Sequence, residues 1–286
     1  MNHQSFVEAN KKNFDNSYDQ IPAMRVLSKI FASSIVNFDT SAPRKTLADT
    51  ESPIDDEKAI EEFSQLHDKI PGNILKPDSK VLDFACGTGL VAQQLCPFMP
   101  KGEYLGIDIN ELMLELYEEK AKVLQEKYPE FKMKSVCADI MDKDFDISSF
   151  ENYADLLICT LAFHHIHDYH KVAEELKRMV KPGGWILIYD FYNEDLEKEE
   201  ITRELQEKGM ARHGVTVDEM NECLEKNCVN VSSAREMRVD LWQNEVFIES
   251  HCTEAVKQQL KSAPRKGELF LVPCSVILGI AQKKQG

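Results

Sequence analysis

From residue 80 onward, short apolar runs typical of β-strands alternate with amphipathic patterns typical of helices. The strand-like runs cover residues 80–84, 104–107, 131–136, 154–159 and 185–189, with helical patterns at 89–98, 109–128 and 168–180 between them. Mostly apolar strands that alternate with helices indicate a parallel sheet covered on both faces. The run at 131–136 alternates lysines with apolar residues, so we expect it near an edge. The alternation predicts an α/β fold with a doubly wound, mostly parallel sheet.

The segments that flank this repeat have weaker patterns. Downstream, helices are predicted at 193–211 and 216–226 and strands at 229–241 and 269–281, and the stretch 241–269 has no clear assignment. Upstream, apolar residues at helical spacing predict a helix at 21–38: Met24, Leu27, Phe31 and Ile35. A second helix is predicted at about 56–68, after a segment typical of a mobile loop. We therefore divide the chain into a helical lid with a mobile loop, 1–75, and a main domain, 76–286.

The helix at 21–38 has two interpretations. It either closes over a bound ligand as a lid or packs permanently on the core. In the lid interpretation, Tyr18 reaches the ligand as well.

Composition excludes several classes of protein. The chain has 34 lysine and arginine residues against 49 acidic ones, a formal net charge of -15. A nucleic-acid backbone would be repelled by this charge, so we expect no general nucleic-acid partner. No run of 18 apolar residues predicts a membrane span, and the first twenty residues lack the apolar stretch of a signal peptide. The eight cysteines form no C-x-x-C pair, which favours reduced structural thiols. We expect a cytosolic protein, with the nucleus as the alternative.

A glycine-rich turn follows the first strand. The sequence VLDFACGTGL at 81–90 runs from an apolar strand through Gly87 and Gly89 into a helix. Glycines at such a turn allow tight backbone angles and let a ligand approach the main chain. The segment 87–92 also fits the dinucleotide pattern G-x-G-x-x-A, which is weak evidence by itself.

Three acidic residues end successive strands of the pattern. Asp83 precedes the glycine turn, Asp108 ends the second strand, and Asp139 follows the third. A carboxylate near this turn would repel a pyrophosphate and attract a cationic cofactor, so Asp83 argues against NAD. Asp108 lies where a carboxylate accepts the two hydroxyls of a ribose. Because ligands bind at the carboxyl edge of such sheets, we expect the three acids to share one nucleoside-cofactor site.

These stretches together resemble the class I, seven-stranded S-adenosylmethionine-dependent methyltransferases. The matching sequences are VLDFACGTG, YLGIDIN, CADI, ADLLICTLAFHHI and LKRMVKPGGWILIYDF, in the family's order between about 80 and 191. The last two are similar to the small-molecule branch that includes the quinone-biosynthesis methyltransferases. The resemblance implies a Rossmann-like methyltransferase fold, S-adenosyl-L-methionine as the cofactor and a small-molecule acceptor.

The resemblance also implies which residues contact the cofactor. Asp83, Gly87 and Gly89 would hold its methionine portion. Asp108 would bind the ribose and Ile109 would cover one adenine face. Asp139 and Ile140 would meet the adenine edge, and Thr160 and Leu161 would line the other side. Separately, the lid interpretation would let Tyr18 reach the carboxylate end of the cofactor.

A run of histidines follows the fourth predicted strand. Of its four members, His164, His165, His167 and His170, the first two are the candidates for a general base. The alternative is a structural turn in which Asp168 caps the next helix. No metal is expected, because no nearby cysteine or acid cluster has ligand spacing. Asp190 and Tyr192, after the fifth strand, are candidates for contact with the acceptor.

The sequence predicts methyl transfer to an oxygen, nitrogen or carbon nucleophile, with a small-molecule acceptor favoured over a protein. Two other functions stay open: an NAD(P)-dependent oxidoreductase and a non-catalytic methyltransferase-like binding module. The acceptor and the oligomeric state are not determined by the sequence.

Overall fold

The computed structural model describes residues 1–14, 18–42, 72–193 and 200–285 of the chain. Within these residues the predicted alternation is present. The strands are β1 Lys80–Phe84, β2 Glu103–Asp108, β3 Lys132–Cys137, β4 Ala154–Thr160, β5 Val180–Phe191, β6 Cys228–Gln243, β7 Arg265–Lys266 and β8 Leu269–Lys283. The helices are α1 His3–Asn13, α2 Pro22–Val36, α3 Leu90–Leu95, α4 Glu111–Lys127, α5 Tyr169–Met179, α6 Arg203–Glu207, α7 Val217–Glu225, α8 Glu245–His251 and α9 Glu254–Leu260.

The strands form one twisted sheet in the order β3-β2-β1-β4-β5-β8-β6, and the short β7 pairs with β8. Strands β1 to β5 are parallel to one another, and β8 runs antiparallel to both β5 and β6. The sheet therefore has the mostly parallel, doubly wound form that the sequence predicts. The edge position predicted for the third strand is confirmed as well.

Hydrophobic residues pack against both faces of the sheet. Helices α2, α3 and α4 contribute to one core, and α5 and α7 contribute to the other. In α2 the residues Leu27, Phe31 and Ile35 are fully buried, and the side chain of Phe31 lies against the ring of Tyr189. Burial of this face removes apolar area from water, which stabilises the covered sheet. These contacts favour permanent packing of α2, and whether it also moves as a lid stays a prediction.

Some elements differ from the sequence predictions. Of the helix predicted at 193–211, the described residues form only the five-residue α6, and the chain leaves the helix after Glu207 through a turn with Gly209 at a φ of 89°. Helix α1 has no counterpart in the predictions, because its apolar residues are few. The stretch without an assignment, 241–269, contains α8, α9 and β7. The helix predicted at about 56–68 lies outside the described residues.

No helix of the described residues combines the length and the apolar character that crossing a membrane requires.

Candidate active site

The turn after β1 requires unusual backbone angles. Ala85, Gly87 and Gly89 all adopt positive φ, at 56°, 52° and 80°. A Cβ on Gly89 would lie 2.8 Å from the ring of Tyr117, so this position excludes side chains for steric as well as conformational reasons. At Gly87 and Gly89 the turn therefore presents backbone without side chains at the carboxyl edge of the sheet.

Asp108 fastens this turn to the end of β2. Its two carboxylate oxygens accept the backbone N–H of Gly87 at 2.8 Å and that of Asn110 at 2.9 Å. Burial raises the pKa of the carboxyl, and the backbone hydrogen bonds oppose that effect. A carboxylate has about four acceptor sites, so Asp108 can still accept hydroxyl groups of a ligand.

Asp83 lies beneath the turn and is 1% exposed. One of its oxygens accepts the hydroxyl of Tyr104 at 2.7 Å, and the other is buried without a hydrogen-bond partner among the described residues. Burial raises the pKa of Asp83 to about 7. An orphaned carboxylate oxygen beside a cleft is suited to a cationic ligand group, whose charge would lower that pKa.

Asp139 contacts a residue that the sequence does not connect with it. Its Oδ2 lies 2.7 Å from Nε2 of His3, in α1, while its Oδ1 accepts the backbone N–H of Met141. Asp139 thus lies where the pattern predicts, and its partner comes from the N-terminal segment of the chain. Nothing in the spacing of residues 3 and 139 indicates this contact.

One cleft joins these features, with an empty volume of about 1250 Å³ including its open mouth. Eight of the predicted cofactor residues line it: Tyr18, Gly87, Asp108, Ile109, Asp139, Ile140, Thr160 and Leu161. His165 lines it as well. Among the described residues, Asp83, Gly89 and His164 lie behind the cleft wall rather than in it.

Helix α1 forms part of the cleft wall. The ring of Phe6 stacks on His167 with centroids 5.4 Å apart, and Phe14 meets His165 edge-on at 5.2 Å. The amide of Asn110 donates to the carbonyl oxygens of Lys11 and Phe14, at the end of the helix. The sequence pattern does not indicate this part of the wall, because its contacts are a few rings and polar groups rather than an apolar stripe.

Hydrogen bonds of Asp19 connect residues 18–20 to the glycine turn. Asp19 accepts hydrogen bonds from the hydroxyl of Thr88 and the ammonium of Lys120. Lys120 also donates to the carbonyl oxygen of Thr88 at 3.0 Å. Tyr18, next to Asp19, lies in the cleft wall. Burial, and then the charges of Asp19 and Asp108, raise the pKa of its phenol.

The histidine run forms a 3₁₀ turn, Phe163–His165, and Asp168 caps α5 as predicted. Nδ1 of His164 lies 2.6 Å from the carboxylate of Asp190, and both residues are buried. His167 and His170 are exposed. Burial is the main cause that holds the pKa of His165 well below its usual range, and the neighbouring His164 and His251 lower it further. His165 is therefore neutral at neutral pH.

Asp190 and Tyr192 are the two residues that the sequence predicts to contact the acceptor. Asp190 is fully buried and holds His164, and Tyr192 is 9% exposed and forms an isolated bridge with Val215. Neither residue lines the cleft as the described residues define it.

Known proteins resemble this chain in the same region. Residues 82–188 match a family model described as a methyltransferase domain. An uncharacterized methyltransferase of Schizosaccharomyces pombe is 27% identical over 224 residues, covering 75% of this chain and 72% of that protein. The demethylmenaquinone methyltransferase of Staphylococcus carnosus is 34% identical over 111 residues, covering 38% of this chain and 42% of that enzyme.

Among solved structures, phosphoethanolamine N-methyltransferase 2 of Haemonchus contortus, in complex with S-adenosyl-L-methionine, has the same fold. The TM-score is 0.50 at 17% identity, over 90% of this chain and 57% of that chain. The family match runs from β1 into β5. It therefore contains the glycine turn and the three acids, whereas α1, α2 and β6 to β8 lie outside it.

Proposed function

This chain carries a class I S-adenosylmethionine-dependent methyltransferase domain, and we propose that the domain methylates a small, planar aromatic acceptor. An enzyme of this kind transfers a methyl group to an oxygen, nitrogen or carbon nucleophile. The two other functions that the sequence left open, an NAD(P)-dependent oxidoreductase and a non-catalytic binding module, are not favoured by the relatives.

The residues present fit the cofactor. Asp108 lines the cleft with acceptor capacity left for two hydroxyl groups, and Asp83 offers a buried oxygen without a partner beneath the turn. S-adenosylmethionine, when bound, supplies a methyl group activated by a sulfonium. We assign the ribose to Asp108 and the ammonium side to Gly87, with Asp83 acting from behind the turn.

The remaining cofactor contacts follow the same edge of the sheet. Ile109 covers one face of the adenine, and Asp139 with Ile140 meets its edge. Thr160 and Leu161 line the opposite side, and Tyr18 lies near the carboxylate. Their shared position in one cleft supports this assignment.

The observation that carries the acceptor proposal is the composition of the rest of the cleft wall. Beyond the cofactor residues, the wall is mainly apolar and contains several aromatic rings, including Phe6, Phe14 and Phe31. Planar aromatic molecules gain from offset and edge-on contacts with such rings. The similarity to a demethylmenaquinone methyltransferase supports an acceptor of the phenol or quinol kind.

The protein contributes mainly by orientation and exclusion of water. Holding a nucleophile about 3–3.5 Å from the methyl carbon is itself a large part of catalysis. His165 is the candidate polar group at the acceptor end, because it lines the cleft while His164 lies behind it. Since its pKa is low, His165 is a weak base and acts as a hydrogen-bonding partner of the nucleophile. The ring of His164, held by Asp190, lies against the ring of His165 with centroids 4.0 Å apart.

A methyl-donor screen tests the proposal. The protein is incubated with labelled S-adenosylmethionine and three sets of acceptors: phenols and quinols, aliphatic amines and acids, and peptides. We expect labelled product from the first set. Product from peptides alone would overturn the acceptor proposal, and no product from any set, together with no binding of the donor, would overturn the activity itself.

A matched pair of variants tests the aromatic wall. Phe14→Ala should raise KM for the acceptor by roughly tenfold, which corresponds to about 1.4 kcal/mol of lost contact. Leu112→Ala is the control, because Leu112 is 52% exposed on α4 and lies outside the cleft. Equal KM values in the two variants would contradict the placement of the acceptor.

A further inference from the structure

Three histidines from distant parts of the chain meet beside the cleft. His164 and His165 follow β4, and His251 ends α8. One ligand atom from each of the three rings lies within 4.8 Å of the corresponding atoms of the other two. We refer to His164, His165 and His251 as the histidine cluster.

The hydrogen bonds of the cluster leave the same nitrogen, Nε2, without a proton in all three rings. Nδ1 of His165 lies 3.0 Å from the carbonyl oxygen of Gly209. Nδ1 of His251 lies 3.2 Å from the carbonyl oxygen of Phe247 and 2.7 Å from Oγ of Ser250, whose hydroxyl donates its proton to the carbonyl oxygen of Val246. A carbonyl oxygen only accepts, so in both rings Nδ1 carries the proton. Nδ1 of His164 faces a carboxylate oxygen of Asp190 at 2.6 Å. In each neutral ring the free lone pair is therefore on Nε2, the atom that a metal would bind.

The buried end of the cluster is incomplete without a ligand. His164 is 1% exposed, and its Nε2 has no hydrogen-bond partner among the described residues. Its partner Asp190 is 0% exposed and accepts hydrogen bonds from His164 and from the backbone of Phe191. A buried lone pair without a partner and a buried carboxylate both cost free energy. A cation on Nε2 would satisfy the lone pair and partly offset the buried negative charge of Asp190.

From this arrangement we propose that the histidine cluster binds one divalent transition-metal ion of the zinc class. Imidazole ligands suit zinc and its neighbours, and three protein ligands leave a fourth, open position. A carboxylate behind a ligating histidine, as Asp190 lies behind His164, is the usual second partner of such a site. Tetrahedral bonds of about 2.0–2.1 Å put the ligand atoms roughly 3.3 Å apart, so the rings close by up to about 1.5 Å on binding.

Aromatic rings surround the histidine cluster. The ring of Phe247 stacks on His251 with centroids 4.4 Å apart, and that of Phe191 lies 5.1 Å from His164. Apolar rings around a metal limit the access of water and strengthen its charge. Because His165 lines the cleft, an ion bound to the cluster would lie at the cleft wall. If the proposed function holds, the metal rather than the imidazole contacts the nucleophile of the acceptor and lowers its pKa.

Metal titration of the full-length, tag-free protein tests the site without cofactor or acceptor, so the result is independent of methyl transfer. The protein is stripped with a chelator, kept reduced and titrated with Zn²⁺ by calorimetry and with Co²⁺ by visible absorption. We expect one equivalent to bind, with the intense bands of tetrahedral cobalt and no thiolate charge-transfer band. Cys137→Ser is used throughout as a second background, because Cys137 is an exposed thiol.

Matched variants assign the ligands. His251→Gln and His165→Gln should lose stoichiometric binding, and Asp190→Asn should weaken it by roughly 10–100-fold. His170→Gln, which alters an exposed histidine outside the cluster, should bind as the unaltered protein does. Circular dichroism checks that each variant is folded.

Three results would overturn the proposal: no stoichiometric binding by the unaltered protein, an octahedral or thiolate cobalt spectrum, or unchanged binding by His251→Gln. If a histidine variant fails to fold, the cobalt spectrum of the unaltered protein and of His170→Gln decides alone. Loss of metal binding with retained methyl transfer would leave the proposed function intact.

Discussion

Both oxygens of Asp108 hold backbone groups before any ligand binds, and we propose that the same carboxylate also binds the ribose. Replacing it with alanine leaves the N–H groups of Gly87 and Asn110 without their acceptor and removes the contacts to a ribose. Hydrogen bonds to charged groups contribute about 1.5–3 kcal/mol each. We expect Asp108→Ala to lower the affinity for S-adenosylhomocysteine at least about tenfold in calorimetry.

The control for this change is Asp78→Ala, since Asp78 is exposed and outside the cleft. Both variants are checked by circular dichroism. Unchanged affinity in a folded Asp108→Ala protein would contradict the placement of the ribose.

We expect Asp83 to make the stability of the ligand-free protein depend on pH. Its pKa of about 7 in the folded state exceeds the ordinary value of 3.8, so between these values the folded protein holds a proton that the unfolded chain lacks. Its contribution to stability is therefore full below about pH 4 and is lost as the pH rises to 7, by up to about 4 kcal/mol.

Asp83→Asn should remove this dependence, because an amide does not ionise and its oxygen still accepts the hydroxyl of Tyr104. Urea unfolding at pH 5 and pH 8 measures the effect. We expect the variant to gain stability relative to the unaltered protein between the two pH values. A constant difference would show that Asp83 ionises normally.

At the scale of elements, we expect local opening to cost less free energy for α1 than for α2. Helix α2 places Leu27, Phe31 and Ile35 in the core, whereas α1 buries only Phe6 and Val7. Elements with few buried contacts open at low cost. The lid predicted at residues 21–38 stays a prediction, and we expect α1, rather than α2, to be the part that opens.

Amide exchange followed by mass spectrometry tests this division. Residues 3–13 should exchange fast in the free protein and slow down markedly with S-adenosylhomocysteine, because α1 forms part of the cleft wall. Residues 22–36 should exchange slowly in both states and serve as the internal control. Equal protection of α1 with and without ligand would favour a static cleft wall, and fast exchange in α2 would favour the larger lid.

The elements that sequence predicted well are those with strong local patterns. Strand β1 has the predicted bounds, and α4, α5 and α7 are shorter than predicted by a few residues at most. Each has its own apolar run or stripe. Helix α1 and α6 lack such a pattern, since their contacts come from rings and caps in other parts of the chain.

At the scale of the whole molecule, ligand binding should stabilise the native state of the entire sheet. A ligand at 100 times its dissociation constant adds about 2.7 kcal/mol, which raises the melting temperature by several degrees. We expect S-adenosylhomocysteine to produce this rise and NAD and NADP to produce none. Asp108→Ala should reduce the shift in proportion to its lost affinity. A shift with NAD alone would overturn the cofactor assignment.

The sequence by itself determined the succession of β1 to β5 along the chain, the glycine turn and the three acids that end successive strands. These features follow from local signals: alternation of apolar runs, positive φ at glycine, and the rule that parallel strands end at one edge. Only the tertiary structure decided that His3 reaches Asp139, that Asp83 lies behind the cleft wall, and that His251 joins His164 and His165. Those contacts join residues far apart in the chain. They depend on many weak packing terms summed over the fold, so no spacing in the sequence encodes them.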